Sequence, residues 1–209
     1  MEKNRKYAEG GIKMSELNQN NMPSLEMVNS NMDKDNKKYS FDVESIDKQI
    51  IVPQLTKLGE QIFLYRKKIN IRTNPMPYVI QSVYYLVDIN GNILGKVPVH
   101  NNGYSDKLEI DYFIKPEYQG QGLATIALST VIDDIFADKE FNNIPFRKNN
   151  LEKETITNIE SISLSINADN IASQIIATKN GFRKNNETTF IMTEEDYNKM
   201  REIEKNYIK

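Results

Sequence analysis

The sequence contains no cysteine, no tryptophan and a single histidine, His100. The absence of cysteine excludes disulfides, thiolate zinc sites, iron–sulfur clusters and a cysteine nucleophile together. One histidine cannot supply a multi-histidine metal site, so no metal is expected. An excess of either charge is lacking too. Lys and Arg number 27 against 29 Asp and Glu, a formal net charge of −2. The basic surplus that carries non-specific nucleic-acid binding is therefore missing. No apolar run approaches the ~18 residues that a membrane span needs. Met1-Glu2-Lys3-Asn4-Arg5-Lys6 leads into polar sequence, not into the apolar stretch of a signal peptide. These absences give the expectation of a soluble, cytoplasmic protein with neither nucleic acid nor membrane as partner.

What is present is 209 residues with a 39% hydrophobic fraction, enough for one domain and an appendage. Asn occurs 25 times and Lys 21 times against 6 Arg, which reads as the codon bias of AT-rich coding sequence and gives no single Asn or Lys functional weight. The polar excess is concentrated at the front. Residues 1–40 have few large apolar positions and no period, as in Lys34-Asp35-Asn36-Lys37-Lys38. Such a stretch cannot offset its ordering entropy by burial, so a flexible tail with one short helix around Leu25–Val28 is expected. The functional alternative is an arm that recruits a partner.

Regular patterning starts near Tyr39, with a short strand over 39–43. Over Ile50–Ile69, Leu55, Leu58, Ile62, Leu64 and Tyr65 fit helical spacing with a break near Pro53, so one or two helices are expected. Asn74-Pro75-Met76-Pro77 is a breaker. Strands follow over 78–88 and 92–99, joined at Asn90-Gly91, which reads as a type I′ hairpin turn. Asn101-Asn102-Gly103 turns into a third strand over 108–114. Apolar residues on both faces of 122–136 mark a buried helix. Phe141–Lys153 reads as loop and Ser161–Ile166 as strand. A helix over 171–179 starts at Asp169 or Asn170 and stops at Asn180-Gly181. Phe182 and Thr188–Met192 are strand-like, and Glu194–Tyr207 is a charged final helix. The order specifies a mixed α+β domain over 41–209.

One segment carries chemistry. A strand ends at Pro116, a loop with two glycines follows, and the buried helix begins at once: Gln119-Gly120-Gln121-Gly122-Leu123-Ala124-Thr125. Glycine lets backbone N–H groups approach a ligand, and a helix start adds unpaired N–H groups and the positive end of a dipole. Together they suit a pyrophosphate. A Walker loop is excluded because Gly-Lys-Ser/Thr is absent. A dinucleotide fingerprint is excluded because Thr125 stands at its third glycine.

Gln119-x-x-Gly122-x-Ala124 resembles the Q/R-x-x-G-x-G/A motif of the GCN5-related N-acetyltransferase superfamily. The strand 161–166, then Asn170-x-x-Ser173 and Gly181-Phe182, looks like that family's fifth strand and following helix. The resemblance covers roughly residues 78–192. It implies a central, mostly antiparallel sheet of six or seven strands flanked by helices, with two central strands splayed into an acetyl-CoA cleft. It implies acetyl-CoA as cosubstrate and a primary amine as acceptor, in a monomer or homodimer. Backbone groups of Tyr112, Phe113 and Ile114 would pair with the pantetheine amides, and the Ile114 N–H would serve as oxyanion donor. Gln119, Gly120, Gln121, Gly122, Leu123, Ala124 and Thr125 would hold the pyrophosphate, and Asn170 and Ser173 would line the far side of the pantetheine arm.

Glu109, ten residues before Gln119, would take the place of the catalytic glutamate of histone-type members. The alternative for it is a solvated strand residue. The family's usual thiolate-protonating Tyr, seven residues after the helix Asn, is replaced by Ala177. Tyr112 is then a candidate by strand position, with a packed aromatic as the alternative. His100 reads as a surface residue at a hairpin edge. By resemblance, acceptor choice would fall to Ile50–Ile71 and Phe141–Lys153, which carry no readable motif. The expected function is acetyl transfer from acetyl-CoA directly to an amine. The alternative is a non-catalytic acyl-CoA-binding or interaction module.

Overall fold

A computed structural model describes residues 22–35, 43–54, 56–57, 59–69, 79–101, 107–137, 144–146, 155–157 and 159–207. Among the described residues, three helices pack into the core on one side of a large mixed sheet and one into a second cluster. The strands are β1 (Val43–Ile51), β2 (Ile62–Ile69), β3 (Val79–Asp88), β4 (Ile93–Asn101), β5 (Lys107–Ile110), β6 (Phe113–Ile114), β7 (Ile144–Phe146), β8 (Thr155–Thr157), β9 (Ser161–Ser165), β10 (Arg183–Lys184) and β11 (Thr189–Thr193). The helices are α1 (Leu25–Asp35), α2 (Leu123–Ala137), α3 (Ile171–Lys179) and α4 (Glu194–Tyr207). The sheet has nine strands in the order β1-β2-β3-β4-β5-β9-β11-β10, with β6 on β4. Every pair in it is antiparallel except β5–β9. The mostly antiparallel sheet flanked by helices is as expected, with more strands than six or seven. No helix among the described residues is long and apolar enough to cross a membrane.

Where one or two helices were expected over 50–69, the chain is extended. Ile62 and Leu64 are buried on one face of β2 and Phe63 and Tyr65 on the other. Burial on both faces removes the alternation that marks a strand, so the run passes for a helical one. β1 and β2 are joined by a tight loop in which Gly59 N–H donates to Thr56 O at 2.9 Å and Thr56 N–H to Glu60 O at 3.0 Å. Val43 opens β1, whereas 39–42, 74–77 and 102–103 lie outside the described residues.

The short helix expected around Leu25–Val28 runs on to Asp35 as α1. Ser24 Oγ accepts from Met27 N–H at 3.2 Å and starts α1. Val28 and Met32, one turn apart, are fully buried against Phe63, Tyr65, Val83, Tyr85, Val87 and Ile93. The sparse apolar residues suffice because all six of these partners are aromatic or β-branched side chains already fixed on strands. Tyr65 Oη donates to Pro23 O at 2.7 Å and Asn31 Nδ2 to Gly91 O at 2.8 Å. Residues 1–21 and 36–42 lie outside the described residues.

The 88–92 hairpin is also differently built. Gly91 has φ +79° and Asn90 is not in the left-handed region. Gly91 N–H donates to Asp88 O at 3.1 Å, while Asp88 Oδ1 accepts from Asn90 and Asn92 N–H, both at 2.8 Å. This is a three-residue connection with one left-handed glycine, not a type I′ turn; the Asp88 carboxylate favours it. The expected loop over 141–153 contains β7, which pairs with β8.

A polar cluster fastens the front strands to α2. Arg66 bonds Asp47 with Nη2 at 2.7 Å and Asp134 with Nη1 at 3.3 Å. Tyr84 Oη donates to Asp134 at 2.7 Å, and Lys48 also meets Asp134. Burial, and then the Asp134 charge, push the Tyr84 phenol well above its ordinary range. The core-facing side of α2 is apolar, with Leu123, Ala127, Leu128, Val131, Ile132 and Ile135 in the main core. Phe136 stacks on Tyr197 of α4 with centroids 4.6 Å apart.

Candidate functional site

The ladder between β4 and β5–β6 runs in one register: His100↔Glu109, Val99↔Ile110, Lys96↔Phe113 and Gly95↔Ile114. Asp111 N–H donates to Pro98 O at 3.0 Å, and Pro98, lacking an N–H, returns nothing, which interrupts the strand. Lys115 N–H donates to Leu94 O at 2.9 Å. Residues 109, 111, 113 and 115 thus address β4. The alternate residues Ile110, Tyr112 and Ile114 turn their N–H and C=O groups to the opposite edge.

That edge is covered by β9 only over Lys107–Glu109, paired in parallel with Ser161–Ser163. Beyond Glu109 the two strands separate. A cleft of about 180 Å³ opens there, lined by Asp111, Tyr112, Ser165, Asn167, Asn170 and Ser173 among others. Tyr112 lines this opening between the splayed strands.

The glycine loop follows β6. Pro116–Tyr118 form a short 3₁₀ turn, and Gly120 and Gly122 have φ of +77° and +83°. At Gly120 a Cβ would meet nothing within 4 Å, so glycine is required there by conformation alone. Ile126 N–H makes the first helical bond, to Gly122 O at 3.2 Å. The N–H groups of Leu123, Ala124 and Thr125 consequently have no acceptor within the helix. Gln119 anchors the loop through its side chain. Its Nε2 donates to Ile114 O at 2.9 Å, tying the loop back to β6. A residue the sequence did not point to is Lys57, in the β1–β2 loop. Its Nζ lies 3.0 Å from Gly120 O, beside the helix start. Nothing local in the sequence signals it, because 63 positions separate the partners.

Asn170 caps α3, its Oδ1 accepting from Ser173 N–H at 3.1 Å. Tyr112 Oη donates to Ser173 O at 3.3 Å and spans the cleft. Burial raises the Tyr112 phenol, with the Ser173 contact opposing it, so the hydroxyl keeps its proton at neutral pH. Ala177 is fully buried in the main core.

Glu109 sits on the last β5–β9 rung, where the strands part. Its Oε2 lies 3.2 Å from His100 Nε2. The expectation that His100 is a surface residue is overturned: it is 8% exposed, enclosed within the sheet opposite Glu109. Among the described residues, no group of three or more His, Asp or Glu side chains is placed to hold a metal ion.

The sheet thus parts between two central strands, β5 and β9, and a glycine-rich loop leads from β6 into α2. The chain matches the family model described as "Acetyltransferase (GNAT) domain" over residues 51–183, more than half its length, and belongs to that family. Its fold is similar to a GNAT-family acetyltransferase from Bacillus anthracis, at 15% identity, 54% of this chain, 66% of that chain and TM-score 0.42. It is similar to spermidine N-acetyltransferase from Vibrio cholerae in complex with CoA and spermine, at 16% identity, 58% and 68% coverage and TM-score 0.43. It is also similar to Mycobacterium smegmatis RimJ in complex with CoA-disulfide, at 16% identity, 57% and 55% coverage and TM-score 0.42. No curated protein matches.

Proposed function

We propose that this protein moves an acetyl group from acetyl-CoA directly to a primary amine. The observation that carries the reading is the cleft where β5 and β9 part, lined by Tyr112, Asn170 and Ser173, with Glu109 on the last paired rung; the helix start of α2, whose Leu123–Thr125 N–H groups have no helical acceptor, follows in the same segment. The residues fit the cosubstrate: the strand edge offers the alternating donors and acceptors that pantetheine amides need, and the helix start offers donors to pyrophosphate. Lys57 supplies beside that start the cation that residues 119–125 lack. Asn170 and Ser173 line the opposite wall.

Glu109 removes a proton from the acceptor ammonium, a contribution of ~10²–10⁴-fold for a positioned base. The freed nitrogen attacks the thioester carbonyl. The Ile114 N–H stabilises the developing oxyanion. The C–N bond forms, the C–S bond breaks, and the nitrogen sheds its second proton while the CoA thiolate gains one, either directly through solvent or with the Tyr112 hydroxyl giving its proton to sulfur and regaining the one from nitrogen. The acceptor-side elements are a tight β1–β2 loop and the β7–β8 hairpin, so the acceptor class is left open beyond its amine.

A second reading, a non-catalytic acyl-CoA-binding module, is favoured by Ala177, since the core position cannot donate a proton. Calorimetry with acetyl-CoA and a thiol assay for CoA release over an amine panel separate the two. Binding with release supports transfer, and binding without release supports the module. Gly122→Asp places an anion at the helix start and a side chain at φ +83°, and is expected to weaken acetyl-CoA binding at least about tenfold. Equal binding by that variant would sink both readings.

A further inference from the structure

The chain's only histidine is unexplained by its fold. His100 and Glu109 stand directly opposite each other on β4 and β5, so both side chains lie on the same face. The His100 side chain is 10% exposed, while the Glu109 and Asp111 side chains are exposed at 40% and 63%. Nε2 lies 3.2 Å from Glu109 Oε2, and Nδ1 lies 4.0 Å from Asp111 Oδ2. The ring is thus a fixed post between two more mobile carboxylates. An ionised carboxylate only accepts, so Nε2 carries the hydrogen of the contact with Glu109. Glu109 is the last residue before the strands part.

We infer that His100 is a positioning residue for Glu109: it holds one carboxylate oxygen, Oε2, and thereby directs Oε1 to the acceptor amine. The inference rests on the acetyl-transfer reading and deepens it. A half-exposed glutamate on a strand samples several rotamers in water. Tethering one oxygen to a buried donor removes that freedom before the substrate arrives, which is where orientation contributes to rate. The amine's proton passes to Oε1, Nε2 keeps its own, and no group is left with an uncompensated charge. As a stabilising ion pair the contact would count for little, because Glu109 is substantially solvated. Its effect falls on turnover.

The test uses the full chain with the best amine from the panel and four variants: His100→Phe, His100→Gln, Glu109→Gln and the double change His100→Phe with Glu109→Gln. His100→Phe is expected to lower kcat by about 10–100-fold, with the acetyl-CoA Kd and the acceptor KM within about twofold of wild type on the same reasoning. His100→Gln restores an N–H donor near Nε2 and should recover most of the loss. In the Glu109→Gln background, His100→Phe should cost nothing more, because it acts through a carboxylate already removed. Equal losses in the two backgrounds, or full kcat in His100→Phe, would overturn the inference.

Should His100→Phe fail to bind acetyl-CoA, the ¹⁵N spectrum of the lone imidazole decides. An Nε2–H signal that changes in Glu109→Gln supports the pairing, and identical spectra overturn it. Absence of CoA release from wild type with every amine would remove the transfer reading and this one together. Full wild-type kcat in His100→Phe removes this one alone.

Discussion

The two ends of the sheet were specified in different ways. From Lys107 to Phe182 each element has a local cause. Pro116 ends a strand, Gly120 and Gly122 make the loop, Asn170 caps α3, and Asn180-Gly181 stops it. From Leu25 to Ile69 the causes are distant. α1 exists because Val28 and Met32 meet strands β2–β4, and β1 is fastened by Asp47 and Lys48 to groups on β2 and α2. The first kind of structure builds the cleft and the second holds it up. Variants at the front should therefore change stability without changing ligand affinity, and Gly122→Asp should do the reverse.

The largest effect is expected at Arg66. Its side chain is 4% exposed and pairs with two carboxylates. Arg66→Ala leaves Asp134 buried without its guanidinium and should cost about 3–5 kcal/mol in urea unfolding. The acetyl-CoA Kd of the folded fraction should stay at the wild-type value; a parallel loss of affinity would break the division between the two ends.

Met32→Ala comes next. It empties a fully buried site between α1 and the sheet and should cost about 2–3 kcal/mol. A cost near zero would show that α1 is a loose tail and restore the sequence expectation.

The smallest effect is expected at Asp196, in the first turn of α4. Arg183 holds its carboxyl down to about 2 from an ordinary 3.8; burial opposes this, and Thr193 assists. The ionised form is the one the fold favours, so the contribution is present at neutral pH and is lost as pH falls from 3.8 through about 2. Because Arg183 is 64% exposed, solvent screening limits the contribution to about 1 kcal/mol. Asp196→Asn should lose that amount at pH 7 and unfold identically to wild type below pH 2, as read by acid titration of the circular dichroism signal. A larger loss would place α4 with the distant causes of the front.

Legibility in the sequence follows the same line. Helix α3 was readable to the residue because its cap and its stop are side chains of its own segment. The glycine loop was readable because its backbone conformation demands particular residues. β2 was misread because Phe63 and Tyr65 are buried by α1, which the sequence does not place nearby. Asn90-Gly91 indicated a turn correctly but not its type, since Asp88 chooses among turns by bonding two backbone N–H groups. His100 and Lys57 were invisible for another reason. Each is defined by a partner, Glu109 or Gly120, brought close only by the fold.

The likeness to the family runs from 51 to 183, from the last residue of β1 to the first of β10. β11, which lies between β9 and β10 in the sheet, falls outside those limits, as does nearly all of β1. A chain trimmed to the matched segment would carry two bare rows of backbone donors and acceptors, one on β2 and one on β9. Copies of such a fragment would find each other along these rows and precipitate. The smallest piece worth expressing is set by strand neighbours in the sheet, and it reaches back to α1 and forward to α4.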